Sequence, residues 1–402
     1  MKIAWLSNAP WAPTGYGTQT AEIVPRIKAA GHDITILSNF GLMASRQEWN
    51  GITVLPQGKD KYSNDIVQAH LEHLKADWLI TLYDVWPLER KWIDHPNVAS
   101  WTPVDHQPAP FEVVQWAKTV RTIAMSRFGQ RELKAQGVEA AYIPHSINTR
   151  DVFCPTAQMP SGSAPRKVLG VPADAFLVMV NAANNGTYPY RKSWPEMFAA
   201  MAYIQRDHPD VYLYVHTDKV GNNGINLDVL AEATGLKQER VRWADPYEVA
   251  NGLVTSEALA AYYSTADVLL MPSMGEGFGI PAIEAQACGT PVILSNYSAQ
   301  PELLGAGWLV AGQPFWNFAQ RSWLQTPYIG QIVKALGEAI EHRGDPELAA
   351  KARTKAQEYD TDRVFDLYWR PFLAEMEATL KPPPLPPNRE MRRAAKKRKV
   401  AA

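Results

Sequence analysis

Short apolar runs alternate with longer stretches of helical spacing from the first residues onward. Positions 3–7, 34–38, 78–83, 98–104, 120–126 and 140–144 read as buried strands. Between them, 21–30, 66–76 and 128–136 carry apolar residues at the spacing of one helix face. Continuous apolar strands separated by helices predict a parallel sheet covered on both faces. A stretch rich in Pro, Gly, Ser and Ala follows to residue 172 and reads as a linker. The alternation then resumes, with strands expected at 176–181, 211–216, 268–272 and 291–295. Helices are expected at 194–205, 257–265, 281–287 and 329–342.

The pattern therefore divides the 402 residues into two Rossmann-like α/β domains, 1–155 and 173–360, joined by a linker at 156–172. Length agrees, since single cores stop growing near roughly 250–300 residues. Each domain is expected to be doubly wound, and the cleft between them is the natural binding place. An amphipathic segment at 361–380 closes the folded part, and 381–402 is expected to be disordered.

Charge adds a second division. The net charge of −1 averages a body with 32 basic and 40 acidic residues, or −8, and a tail at 381–402 carrying +7. The tail contains Lys396-Lys-Arg-Lys-Val400, a pattern shared with nuclear import signals and common by chance. No apolar run approaches the ~18 residues of a membrane span. The first residues read directly as a strand without a secretion leader, and the two cysteines, Cys154 and Cys288, show no metal-ligand spacing. A reducing cytoplasm is the expected location.

The strongest chemistry lies at 271–295, MPSMGEGFGIPAIEAQACGTPVILS. A strand runs into a Gly-rich loop, and Pro281 stands where a helix would begin. Loop amides at the positive end of that helix suit a phosphate or diphosphate. Glu276 lies in the loop and Glu284 in the first helical turn, where a carboxylate can accept both hydroxyls of a ribose.

The run Glu276-Gly-Phe-Gly-Ile-Pro-Ala-Ile-Glu284, followed by Ala-Gln-Ala-Cys-Gly-Thr-Pro-Val, resembles the signature of family 4 glycosyltransferases of the GT-B fold. Gly15-Tyr16-Gly17, Ser126-Arg-Phe-Gly129 and Ile143-Pro-His-Ser-Ile-Asn148 have family-like counterparts at similar places. The resemblance implies a retaining transferase that uses a UDP- or GDP-sugar, no metal and no other cofactor, with segment 361–380 crossing back onto the first domain. It assigns Glu284 to the donor ribose, Glu276 to the hydroxyls of the transferred sugar, and Gly277, Phe278 and Gly279 to the sugar or diphosphate.

Three further places complete the expected site. In NAANNGTYPYRKS at 181–193, Arg191 and Lys192 can neutralise a departing diphosphate, where charge grows in the transition state. The family places an arginine six residues before the lysine, and here that position is Gly186. Arg191 fills the role, or Asn184 and Asn185 bind instead. Gly15 and Gly17 form a turn that would approach the donor phosphate. His106 follows a strand of the first domain and is the candidate histidine near the sugar, with Asp105 and Asp84 on the acceptor side. His145 and His216 end strands and read as structural, and His32 carries no assigned chemistry.

The acceptor is expected to be a hydroxyl on a protein, glycan or lipid. Rival readings are a DNA-modifying glycosyltransferase acting on hydroxylated bases, with the tail on phosphates, and a sugar-nucleotide epimerase or binding protein of the same fold. The segment Asn388-Arg-Glu-Met-Arg-Arg-Ala-Ala-Lys-Lys resembles basic ends of actinobacterial phage proteins, which would make phage DNA or a virion protein the partner.

Overall fold

The computed structural model describes residues 1–186, 189–221 and 224–380. The Pro-rich and basic tail, 381–402, lies outside the described residues, so the expected disorder is not addressed by them.

Among the described residues, sixteen strands form three sheets. The first sheet contains β1 (Lys2–Asn8), β2 (Asp33–Phe40), β3 (Gln47–Trp49), β4 (Ile52–Leu55), β5 (Trp78–Leu82), β6 (Val98–Thr102), β7 (Arg121–Ala124) and β8 (Ala140–Tyr142). Their spatial order is β3-β4-β2-β1-β5-β6-β7-β8, parallel except for the β3–β4 edge pair. The second sheet contains β9 (Phe176–Asn181), β10 (Val211–His216), β11 (Val241–Trp243), β12 (Val268–Met271), β13 (Val292–Ser295) and β14 (Gly307–Val310). It is parallel throughout, in the order β11-β10-β9-β12-β13-β14. An antiparallel hairpin, β15 (Gly312–Asn317) and β16 (Ser322–Pro327), stands apart.

Each sheet grows first to one side and then to the other. In the first the chain reverses between β1 and β5, and in the second between β9 and β12. Such a switch point leaves a crevice at the strands' carboxyl ends, because the flanking connections depart in opposite directions.

Every strand expected from an apolar run is present, and the central ones are buried along most of their length. The expected linker is not bare coil. It carries a helical turn, Pro165–Leu169, and Met159 and Val171 pack into the core. Segment 361–380 is not one regular helix. Thr361–Val364 and Arg370–Ala378 flank a π-helical stretch, Phe365–Trp369. That stretch carries Trp369 into the first unit, where its ring centroid lies 5.8 Å from Trp5 and 5.0 Å from Trp101. All three indoles are fully buried. Large-to-small substitution of such a ring costs about 3–5 kcal/mol, so the C-terminal segment is part of the first unit's core. The chain crosses between units where Ile147 bridges to Asp360, and Thr149 Oγ1 donates to Asp360 Oδ2 at 2.8 Å.

Candidate active site

Most of the site residues come from connections that follow strand carboxyl ends at or beside the two switch points. Because β1 and β5 are neighbours, the turn after β1 meets the turn after β5. Tyr16 donates its phenolic proton to Asp84 Oδ1 at 3.1 Å. Thr14 caps the helix Gly15–Ala29, its hydroxyl accepting from Gly17 N at 3.0 Å. The open end of that helix faces the start of the helix Ile280–Ala287. A Cβ on Gly15 would lie 3.3 Å from Ile280 Cδ1. Two positive helix ends thus converge on one place.

Because β9 and β12 are neighbours, the loop after β9 meets the loop after β12. Lys192 Nζ lies 2.5 Å from Glu276 Oε1, and Arg191 Nη1 lies 2.9 Å from Glu276 Oε2. Arg191 also donates to the Gly275 carbonyl at 2.5 Å. Burial works against the Glu276 charge, but Lys192 and Arg191 outweigh it and hold the carboxyl down at about 2. Burial pushes the Lys192 ammonium down against the pull of Glu276. Glu276 is therefore an anion between two cations.

The two halves touch through this cluster. Arg191 Nε reaches Asp105 Oδ2, after β6 in the first sheet, at 3.6 Å. Burial raises Asp105, yet His106 and Arg191 more than reverse this and hold it at about 2. Asp84 is raised by burial and then by the Asp105 charge. Glycine is needed where the halves meet: a Cβ on Gly277 would sit 2.9 Å from Pro103 Cβ, and one on Gly275 2.3 Å from the Asp105 carbonyl oxygen. Gly279 has φ +118°, a left-handed turn into the helix that a side chain would strain.

Glu284 is the fifth residue of Ile280–Ala287, one position beyond the first turn rather than within it as a start at Pro281 predicts, and apart from the cations. Its Oε2 accepts from Tyr263 OH at 2.8 Å, and Asn181 Nδ2 donates to the same phenol oxygen at 2.6 Å. Burial pushes the Glu284 carboxyl up to about 7. A carboxylate in that position gains from any hydroxyl pair brought to it, since each hydrogen bond favours its charged form.

Three expected residues have partners other than those anticipated. Asn184 is buried, and its side chain bonds to backbone after β10. Its amide donates to the Asp218, Lys219 and Ile225 carbonyls and its oxygen accepts from Ile225 N, so it organises the loop after β10. Phe278 is buried, its ring centroid 5.3 Å from His145 and 5.5 Å from Tyr359, which leaves only its backbone for a ligand. His106 is buried with both ring nitrogens engaged. Nδ1 lies 2.6 Å from Asp105 Oδ1, and Nε2 lies 3.1 Å from Asn317 Nδ2 at the end of β15. A proton on Nδ1 leaves Nε2 to accept from the Asn317 amide, so His106 here orients Asp105 rather than presenting a free base. His145 packs edge-on to Trp101 at 4.5 Å and burial lowers it to about 3. Gly186, at the expected arginine position, has φ +96°.

Sequence reading missed Tyr263 and Asn317, and took Tyr16 only as part of a glycine turn. Tyr263 is 21 positions from Glu284 and Asn317 is 211 from His106. Local pattern carries no trace of either contact. The hairpin that bears Asn317 also joins the halves by a reciprocal backbone pair between Gln107 and Trp323, at 3.1 and 2.9 Å, and by Ser322 Oγ donating to the Pro108 carbonyl.

Comparison with known proteins finds relatives among glycosyltransferases. Residues 186–358 match the family model described as glycosyl transferases group 1. The chain is 27% identical over 169 residues to the O-antigen chain mannosyltransferase RfbU of Salmonella typhimurium, covering 40% of this chain and 48% of that protein. It is 32% identical over 159 residues to a D-inositol 3-phosphate glycosyltransferase of Paenarthrobacter aurescens, covering 39% of this chain and 35% of that protein. The chain thus spans less than half the length of these two relatives. In fold it is similar to a sucrose-phosphate synthase from Thermosynechococcus elongatus, with a TM-score of 0.67, 20% identity and coverage of 94% and 98% of the two chains.

Proposed function

We propose that this chain, a glycosyltransferase by its group 1 domain and by its GT-B fold, moves a sugar from a UDP- or GDP-sugar to an acceptor hydroxyl with retention and without a metal. The observation that carries the reading is the convergence of Lys192 and Arg191 on Glu276 beside the positive end of the helix Ile280–Ala287. In this reading the donor diphosphate takes the two cations and the helix-end amides, releasing Glu276 to the transferred sugar's hydroxyls. Glu284 receives the ribose.

Departure of the diphosphate breaks the bond from the anomeric carbon to the phosphate oxygen. The acceptor oxygen bonds to that carbon on the same face, and its proton passes to the departing phosphate oxygen. Arg191 and Lys192 stabilise the charge that grows there. Contact between the halves at Gly275, Gly277, Asp105 and Arg191 excludes water from the donor. Family 4 membership and a cytoplasmic location belong to the same proposal.

A donor screen by mass spectrometry tests it, with protein, lipid, glycan and DNA acceptors offered to the best donor. Transfer must fall at least tenfold in both Lys192→Ala and Glu276→Ala; unchanged transfer in both sinks the assignment. A second reading rests on the contrast between the body's −8 and the tail's +7: phage DNA with hydroxylated bases as acceptor. Transfer to such DNA that disappears on removing 381–402 would favour it.

A further inference from the structure

On the first sheet's side of the cleft, aromatic side chains form a row that the donor reading leaves unused. Tyr16 and Tyr83 have ring centroids 5.6 Å apart, Tyr83 and Tyr62 6.2 Å, and Tyr62 meets Trp86 edge-on at 5.8 Å. The inner end is Tyr16, bonded to Asp84, whose charge is felt together with those of Asp105 and Arg191. The outer end is Trp86, 57% exposed. The row thus leads from the expected transfer centre into solvent.

Its chemistry selects one kind of ligand. A pyranose has an apolar C–H face and a rim of hydroxyls. Ring faces, which carry partial negative charge, take the first, while carboxylate and phenol oxygens take the second. Three of the four rings carry a hydroxyl, so the row does not offer the unbroken apolar surface a lipid chain needs. Asp84 at its inner end, in a body of charge −8, opposes a phosphodiester.

We propose that Tyr16, Tyr83, Tyr62 and Trp86 form the track for a neutral oligosaccharide acceptor. The acceptor's terminal sugar lies at Tyr16 and Asp84, and its remaining sugars stack outward to Trp86. This proposal rests on the transferase reading and names its acceptor class.

The test uses the full chain labelled with 5-fluorotryptophan, with the Trp86 fluorine resonance identified by its loss in Trp86→Phe. Neutral tri- and tetrasaccharides of mannose, glucose, galactose, rhamnose and N-acetylglucosamine are titrated in, and single-stranded oligothymidylate is the nucleic-acid arm. At least one oligosaccharide shifts the Trp86 resonance saturably, and Tyr62→Ala weakens it about fivefold, the range of one lost stacking contact. Tyr62→Phe, which keeps the ring, restores most of that loss. A shift by oligothymidylate alone, no shift by any oligosaccharide, or equal affinity in Tyr62→Ala overturns the proposal. Titration of UDP and GDP into the same sample separates the two readings. Oligosaccharide binding without nucleotide binding removes the donor assignment and leaves the track standing; the reverse removes the track alone.

Discussion

Arg191 links the two halves through Asp105. Its Nε stands 3.6 Å from the Asp105 carboxylate of the first unit, while its Nη1 holds Glu276 of the second at 2.9 Å. One guanidinium therefore senses both the loop after β12 and the turn after β6. Any anion that competes for it alters the contact between units as well as the charge around Glu276.

That shared position gives a prediction about stability. Glu276→Gln leaves Lys192 facing Arg191 without the shared anion, and Arg191 with Asp105 alone. Glu276 is 7% exposed, but Arg191 is 35% exposed and water screens part of the repulsion. The expected loss is about 1–3 kcal/mol, below the full cost of breaking a deeply buried pair. Scanning fluorimetry should show a lower Tm, and UDP or GDP should raise the variant's Tm more than the wild type's. An unchanged Tm with no larger nucleotide response would contradict the arrangement.

Glu284 gives a pH dependence. Burial raises its carboxyl from the ordinary 4.5 to about 7. The folded state therefore holds a proton that the unfolded state has lost across that window. Its contribution to stability is complete below pH 4.5 and is lost as pH rises through about 7. Glu302, also raised to about 7 by burial, acts with the same sign. The difference in urea stability between wild type and Glu284→Gln, measured from pH 4.5 to 8, isolates Glu284. It should decline with rising pH; a flat difference would refute the burial argument.

Gly275→Ala tests the fit between units. The new Cβ would lie 2.3 Å from the Asp105 carbonyl oxygen and 2.7 Å from Leu324 Cδ2. Backbone cannot yield there without separating the loops. Transfer should drop by about tenfold or more, because reacting groups misplaced by even ~1 Å lose rate steeply. Nucleotide affinity should stay within about threefold, and small-angle scattering should report a larger radius of gyration.

Ser126 shows that a family-like segment can have a structural role. Its hydroxyl, fully buried, accepts from Gly129 N at 3.0 Å and caps the helix Arg127–Ala135. Ser126→Ala should cost about 1 kcal/mol in urea denaturation and leave nucleotide affinity unchanged.

The central strands were legible because each is a continuous apolar run enclosed on both faces. The structure adds β3, β4, β11, β14 and the hairpin β15–β16, which are short, at sheet edges or half exposed. Their positions lack the uninterrupted apolar character that marks the centre. The loop after β12 was legible for a different reason. Gly275 to Glu284 packs glycine, proline and two carboxylates into ten positions, a density of special chemistry that local reading can detect. The core partners of Asn184 and Phe278 were not legible, because an amide or a ring looks the same whether it faces a ligand or the core.

The sequence by itself determined where the strands, turns and helix starts fall, since hydrophobic period and the backbone preferences of glycine and proline are local properties. It also placed Arg191 and Lys192 after β9, and Glu276 and Glu284 after β12. Tertiary structure alone decided which connections meet. Pairing β1 with β5 brings Tyr16 to Asp84, and pairing β9 with β12 brings Lys192 to Glu276. A buried apolar strand is compatible with many neighbours, and strand order is settled only when both faces of the whole sheet are covered at once.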